Sequence, residues 1–352
     1  MISGKKTVMR LLAAAVCLLL AAAVRTAARA DNVTKTFGNA DQALKYVRTE
    51  QPTELTLENV KIKPADLLKI RNKMPEGGIL HFSTTWGGIS FTDEVVDLDL
   101  REFKGTVTGE DLEAVVLLCP NVKSIDNSNK RAPSNKVMTA LCEKYPDIRF
   151  EWIVRLGKEH YCKTTQTAFS TFNHIFDEDV VTSTQMAKMA KYLYRLKALD
   201  LGHNVLTDLE FLKDMPNLEL LIVGDNRIKD LAPISNLKHL QYLEIFSNYI
   251  TDLTPLAECT ELLDLNICYC PVMDFSPIDG LDSLERFWAT MIRHLPEEQK
   301  ERFIQVHPDV EADFKGSHAT DSGWRKHPRY KHYIWCLKHN TWIPFNEPLP
   351  EK

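Results

Sequence analysis

The sequence, 352 residues long, contains no CxxC pair, which leaves a structural zinc site little support. GxSxG, Walker, HExxH and GxGxxG patterns are missing too, so the common local signatures of hydrolases, nucleotide-binding folds and zinc proteases are absent. No low-complexity tract argues for wholesale disorder. The longest apolar run, Leu11 to Val24, is fourteen residues, short of the roughly 20 that cross a bilayer. The formal charge is −5, and the first thirty residues hold five basic and no acidic groups, so the remainder is near −10. That acidity argues against a general grip on nucleic acid or anionic lipid. The final Leu349-Pro350-Glu351-Lys352 has none of the parts of a covalent wall anchor, so a free or weakly associated protein is expected.

What is present begins with Lys5, Lys6 and Arg10 ahead of the apolar run, followed by Ala28-Arg29-Ala30. This is the layout of a secretory signal peptide, with cleavage expected before Asp31. An uncleaved anchor is the alternative; a lipoprotein would need a small residue before Cys17, where Val16 stands. The expected location is therefore secreted, extracellular or cell-surface, without stable membrane insertion after cleavage. Seven cysteines remain past that point: Cys119, Cys142, Cys162, Cys259, Cys268, Cys270 and Cys336. An odd count spread over so long a chain is no disulfide framework.

The decisive pattern is a period of 22 residues, with units starting at Leu196, Leu218, Leu240, Leu262 and Leu284. The second unit places apolar side chains at Leu218, Leu221, Val223, Ile228, Leu231, Ile234 and Leu237, with Asn226 between. The third repeats this with Leu240, Leu243, Ile245, Ile250, Leu253, Leu256 and Cys259 around Asn248. Seven apolar places over four units are all filled, a chance event on the order of 10⁻¹⁰ at this composition. Leu221 and Val223, two apart, point to one side of a strand. The following Asn204, Asn226 and Asn248, or Cys270 in their place, turn the chain and can satisfy buried backbone groups. Pro233, Pro255 and Pro277 suit the first turn of a short helix. One unit cannot bury enough surface alone, so the units must stack.

These residues match the motif LxxLxLxxN/CxL, and the Asp230–Ile234 and Asp252–Leu256 stretches match its short helical turn. On them the chain resembles the bacterial leucine-rich-repeat proteins of internalin type. The resemblance implies an α/β solenoid, with a parallel sheet on the concave face and short helices or 3-10 turns on the convex face. The expected organisation is a signal peptide (1–30), irregular βα repeats (31–156), an insertion and helix (157–195), the regular repeats (196–290), and a cap with an aromatic tail (291–352). Within it, Gly157 to Asn173 reads as a hairpin, and Pro296 to Val306 as a helix capping the core. The stretch from Gly323 to Tyr330 resembles the C-terminal tails of a group of secreted clostridial-type repeat proteins. With Trp324, Tyr330, Tyr333, Trp335 and Trp342, the tail is expected to pack back on the solenoid.

In such a coil the outward strand positions line the concave face. Asp200, Leu220, Ile222, Tyr242, Glu244, Phe246, Asp264, Asn266, Tyr269, Arg286 and Trp288 occupy them, free of duty in the repeat core. Aromatics beside carboxylates suit the centre of a protein interface, and so large an apolar patch has a use. Two readings stand: a partner-binding surface, or a face covered by the tail or another coil. His318, His327, His332 and His339 gather near Cys336 at spacings of no common zinc module, so surface histidines and no metal or cofactor are expected. Cys270 takes the inward Asn place and Cys268 points outward. About 60 residues follow the last repeat strand, too few for a second catalytic fold. The pattern leads to a non-enzymatic, extracytoplasmic module that binds a protein, and no nucleic acid, through its concave face. An adhesin contacting host or neighbouring cells is the nearest alternative. An enzyme or enzyme regulator acting on surface glycan or peptide is the alternative of another class.

Overall fold

The computed structural model describes residues 32–172, 178–320 and 323–350. The expected signal peptide and its cleavage point lie outside the described residues, as does Asn173. The chain divides into two compact units, Met1–Glu151 and Trp152–Lys352.

The first unit follows a βα rhythm. Strand β1 (Val33–Lys35) leads to helix α1 (Ala40–Glu50), β2 (Glu54–Val60), α2 (Pro64–Arg71), β3 (Ile79–Trp86) and β4 (Ile89–Thr92). β1, β2 and β3 pair in parallel, and β4 folds back antiparallel on β3. Then β5 (Asp97–Asp99), α3 (Gly109–Leu118), β6 (Ser124–Asp126), α4 (Asn135–Lys144) and β7 (Arg149–Glu151) build a second parallel sheet. α3 starts at a capping box, with Thr108 accepting from the Asp111 amide and Asp111 accepting from the Thr108 amide.

The second unit opens with a hairpin of β8 (Ile153–Arg155) and β9 (Tyr161–Lys163). The turn region read as a hairpin up to Asn173 is thus shorter, because its distal part does something else. β10 (Ala168–Ser170) pairs in parallel with β11 (Ala198–Asp200) and becomes the first strand of the repeat sheet; α5 (Ser183–Met189) lies between them. β12 (Leu220–Ile222), β13 (Tyr242–Glu244), β14 (Asp264–Asn266) and β15 (Arg286–Trp288) follow in sequence order. Register advances by one repeat per strand: Leu199, Leu221, Leu243, Leu265 and Phe287 stand side by side. All five are fully buried, as are Leu201, Val223, Ile245 and Ile267 two places on. This is the inward column that the 22-residue period demands.

Each coil then turns on a residue in left-handed conformation: His203, Asp225, Ser247, Tyr269 and Met291, with φ between 53° and 62° in the four repeats from His203 to Tyr269 and 59° at Met291. Such backbone is uncommon outside glycine. Here it is held because the amides of His203, Asp225 and Ser247 donate to Gly224, Phe246 and Cys268 carbonyls at 2.8–2.9 Å, carrying the ladder past the strand. The next residue secures the corner. Asn248 Nδ2 reaches the carbonyls of Val223, Ile245 and Phe246, while its Oδ1 accepts from the Ile228 amide at 2.9 Å. Asn226 does the same one coil earlier. At Cys270 the thiol makes the shared contact, donating to Ile245 O at 3.2 Å.

Beyond the corner, 3-10 turns at Ala232–Asn236, Thr254–Glu258 and Ser276–Ile278 begin with the expected prolines. Asp230, Asp252 and Asp274 accept from the amides two residues on, at 2.8–2.9 Å, and so start each turn. After β15, helix α6 (Glu297–Val306) brings Phe303 against Phe275, Phe287 and Phe314 and closes the end of the repeat core. A last strand, β16 (Glu311–Asp313), adds to β15 in parallel as the seventh of the sheet.

Candidate functional site

The site is the face of the repeat sheet that looks away from the core just described. Position by position it holds what the sequence placed there. It is not open, however. Leu220, Ile222, Tyr242, Glu244, Phe246, Asp264, Asn266, Arg286 and Trp288 are all buried, Asp200 is half-buried, and only Tyr269 is exposed, at 39%. The expectation of an exposed patch at these residues is corrected: the chain's own C-terminal segment lies over them. Of the two readings of this face, cover by the tail is the arrangement present. The physical reason is that the tail covers the apolar residues of the face with its own and brings Arg329 to the buried Asp264.

The segment holds helix α7 (Pro328–His339), whose ends are set locally. Pro328 sits at its first turn, His327 Nδ1 accepts from the Arg329 amide, and Asn340 ends it in left-handed conformation. Arg329, Tyr333, Cys336 and Leu337 fall on one helical side by their spacing. Of these, Tyr333, Cys336 and Leu337 are buried and join one apolar cluster with Ala198, Leu220, Ile222, Tyr242 and Trp288 from the sheet.

Polar anchors run along the segment from the last strands back to the first. Ala319 O accepts from Asn266 Nδ2 at 2.7 Å, and Ser317 O accepts from the Tyr269 hydroxyl at 3.0 Å. Trp324 lies with Trp288 (ring centroids 5.2 Å apart), and the Arg286 guanidinium stands 4.4 Å and 4.8 Å from the two ring centroids. Arg286 also donates to Trp324 O at 3.1 Å. Arg329 grips Asp264 with two hydrogen bonds, at 2.6 and 2.9 Å, and reaches Glu285 at 2.7 Å. Trp342 Nε1 donates to Glu219 Oε2 at 2.6 Å, and the Trp342 amide donates to the Thr167 hydroxyl at 2.7 Å.

At the centre, Glu244 is buried, and no cation among the described residues forms an ion pair with it. Its Oε1 accepts from the hydroxyl of Tyr242, from Trp324 Nε1 at 2.8 Å and from the Tyr333 hydroxyl at 3.3 Å. Burial raises its carboxyl above the ordinary value, with the Trp324 and Tyr242 hydrogen bonds pulling the other way. The same loss of water raises Asp200, opposed by the Gly202 amide and the Ser170 hydroxyl. Phe246 covers Gly224: a Cβ there would come within 2.4 Å of its ring, so the small residue in one coil makes room for the large one in the next.

Cys268 does face away from the repeat core, yet the tail buries it, and its sulfur takes the Thr290 hydroxyl at 3.1 Å. Burial pushes the thiols of Cys268 and Cys259 up to about 11 and that of Cys270 up to about 12, which keeps them unreactive. No disulfide links the described cysteines. The histidines of the tail have local partners: His332 and His339 contact the carbonyls of Ile343 and Trp335 at 2.8 Å. Among the described residues no group of three or more His, Cys, Asp or Glu side chains is placed to hold a metal ion. No described helix is long and apolar enough to cross a membrane.

Sequence reasoning missed the anchors Glu219, Thr167 and Glu285, and did not single out Arg329. The available signal was the helical spacing of Arg329, Tyr333, Cys336 and Leu337 after His327-Pro328.

The family model for leucine-rich repeats in two copies matches residues 216–258. Among solved structures, internalin C2 from Listeria monocytogenes is 20% identical over 54% of this chain and 79% of that one, with a TM-score of 0.32. Another internalin of the same organism is 19% identical over 75% and 68%, with a TM-score of 0.36. A leucine-rich-repeat protein of Leptospira interrogans is 20% identical over 77% and 68%, with a TM-score of 0.38. The curated proteins contain no match to the chain. With its 22-residue coils, asparagine corners and proline-led 3-10 turns, the chain carries leucine-rich repeats, and the residues that the family model matches lie within them.

Proposed function

We propose that the chain is an extracytoplasmic protein-binding scaffold, not an enzyme, and that its recognition surface is the tail-side face of the repeat sheet. One observation carries this reading. The face is chemically built for a protein segment, since a helix and its flanks already seat there through Trp324, Arg329, Tyr333 and Trp342. Tryptophan, tyrosine and arginine are the residues that dominate protein interfaces. Leu220, Tyr242, Asp264 and Arg286 vary along one column of the sheet where repeat packing asks for no variety. An outside partner would compete with the chain's own segment for these contacts.

Crosslinking the secreted protein in its native culture tests this, run with and without added peptide of residues 317–352. A captured protein that the peptide displaces, and that an Arg329→Ala chain captures more strongly, supports the reading. Capture indifferent to both the peptide and Arg329→Ala would move the site elsewhere. Turnover of any member of a glycan or peptide library by the purified chain would overturn the non-enzymatic reading. An adhesin would show the same competition on intact cells.

A further inference from the structure

We propose that the C-terminal segment, described at 317–320 and 323–349, is an exchangeable ligand of the sheet face, so that the segment of a second copy of this chain can take the place of the chain's own. The inference rests on the reading of that face as a binding surface, and it names an occupant: a helix with arginine and tyrosine four residues apart.

Three observations point this way. First, the repeat core is complete without the segment. Leu221, Leu243, Leu265 and Phe287 are buried by their own neighbours and the 3-10 turns, on the other side of the sheet from the segment. The segment and the face form an apolar cluster of their own. Two cores on opposite sides of one sheet can open separately, as sub-global openings do. Second, the segment is held by discrete anchors of interface character. The Arg329–Asp264 fork, the Trp324–Glu244 bond and the Trp342–Glu219 bond each join one side chain of the segment to one coil. Within the helix, Arg329, Tyr333 and Cys336 stand at i, i+4 and i+7, the spacing that helix-in-groove recognition uses. Third, charge is matched across the contact. Asp264 and Glu285 face Arg329, while the cation on the sheet, Arg286, pairs with Asp264 at 3.7 Å and Glu311 at 3.3 Å and meets a backbone carbonyl and two indole rings of the face and the segment. An identical segment from another copy would find every contact unchanged, which makes the swap nearly neutral once the tether's local concentration is overcome.

The test uses the full chain with a protease site inserted between Gly316 and Ser317. After cutting, a fluorescent peptide of residues 317–352 is added and its anisotropy followed. The peptide should be taken up and then displaced by unlabelled peptide. An Arg329→Ala peptide should bind at least tenfold more weakly, and a Lys331→Ala peptide, altered at an exposed site, should bind as the parent does. A segment that stays in place after cutting and never exchanges would overturn the proposal. So would equal binding of the Arg329→Ala peptide. Hydrogen exchange on the uncut chain gives an independent measure: α7 amides less protected than those of β12 to β14 support it, and equal protection overturns it. If exchange occurs but no culture protein competes, the swap stands while the outside-partner reading fails.

Discussion

The two sides of the same short strands obey different rules. On the core side, β11 to β15 present Leu199, Leu221, Leu243, Leu265 and Phe287, nearly one residue repeated. On the tail side the aligned places read Ala198, Leu220, Tyr242, Asp264 and Arg286, then Asp200, Ile222, Glu244, Asn266 and Trp288. Both sides are buried, but for half-buried Asp200, so burial alone does not produce uniformity. Uniformity arises where each coil meets a copy of itself. Variety arises where the coils meet a single segment that does not repeat.

The comparison can be broken most severely on the uniform side. Lys at Leu243 should abolish cooperative melting followed by circular dichroism, since a lone charge in that column has no partner. Arg329→Ala should come next, at about 2–3 kcal/mol, because fully buried Asp264 loses its bidentate partner and keeps only Arg286, 3.7 Å away. Its signature differs: hydrogen exchange should rise in α7 while β12 to β14 keep their protection, and adding Asp264→Asn should recover part of the loss. Asn248→Ala strands the Ile228 amide and removes one of two donors from each of three carbonyls, and should cost about 2 kcal/mol in urea titration. Glu244→Gln should change little at acid pH and help as pH rises. The folded chain holds the Glu244 proton more tightly than the unfolded chain, so its contribution is present below about pH 4.3 and lost above it. The melting temperature of the variant relative to the parent should therefore climb between pH 4.5 and 7 on the order of a few degrees. At the small end, Tyr249→Ser alters an exposed corner residue and should shift stability by under about 0.5 kcal/mol.

The same contrast explains what could be read in advance. The period fixed β12 to β15 and the turns at Pro233, Pro255 and Pro277, because repeated packing writes a repeated signal. β16, with the sequence Glu-Ala-Asp, had no such signal: it joins the sheet through backbone pairing with β15, which any side chains permit. β10 was hidden likewise, 30 residues rather than 22 before its neighbour. The eleven tail-side residues could be placed on their face by counting. Their burial could not, because it depends on where Trp324, Arg329 and Trp342 come to rest, a relation between distant, non-repeating positions.

The segment's path along the sheet has a consequence for how this solenoid can evolve. Repeat arrays lengthen and shorten by whole units with little penalty to the coils themselves. Here Ala319, Arg329 and Trp342 are fastened to Asn266, Asp264 and Glu219, so the segment measures off the strands between them. Gain or loss of one coil would displace its far anchor by a strand spacing, about 4.8 Å, and leave it facing the wrong side chain. The tail acts as a ruler, and the number of coils is fixed by a stretch of chain that contains none.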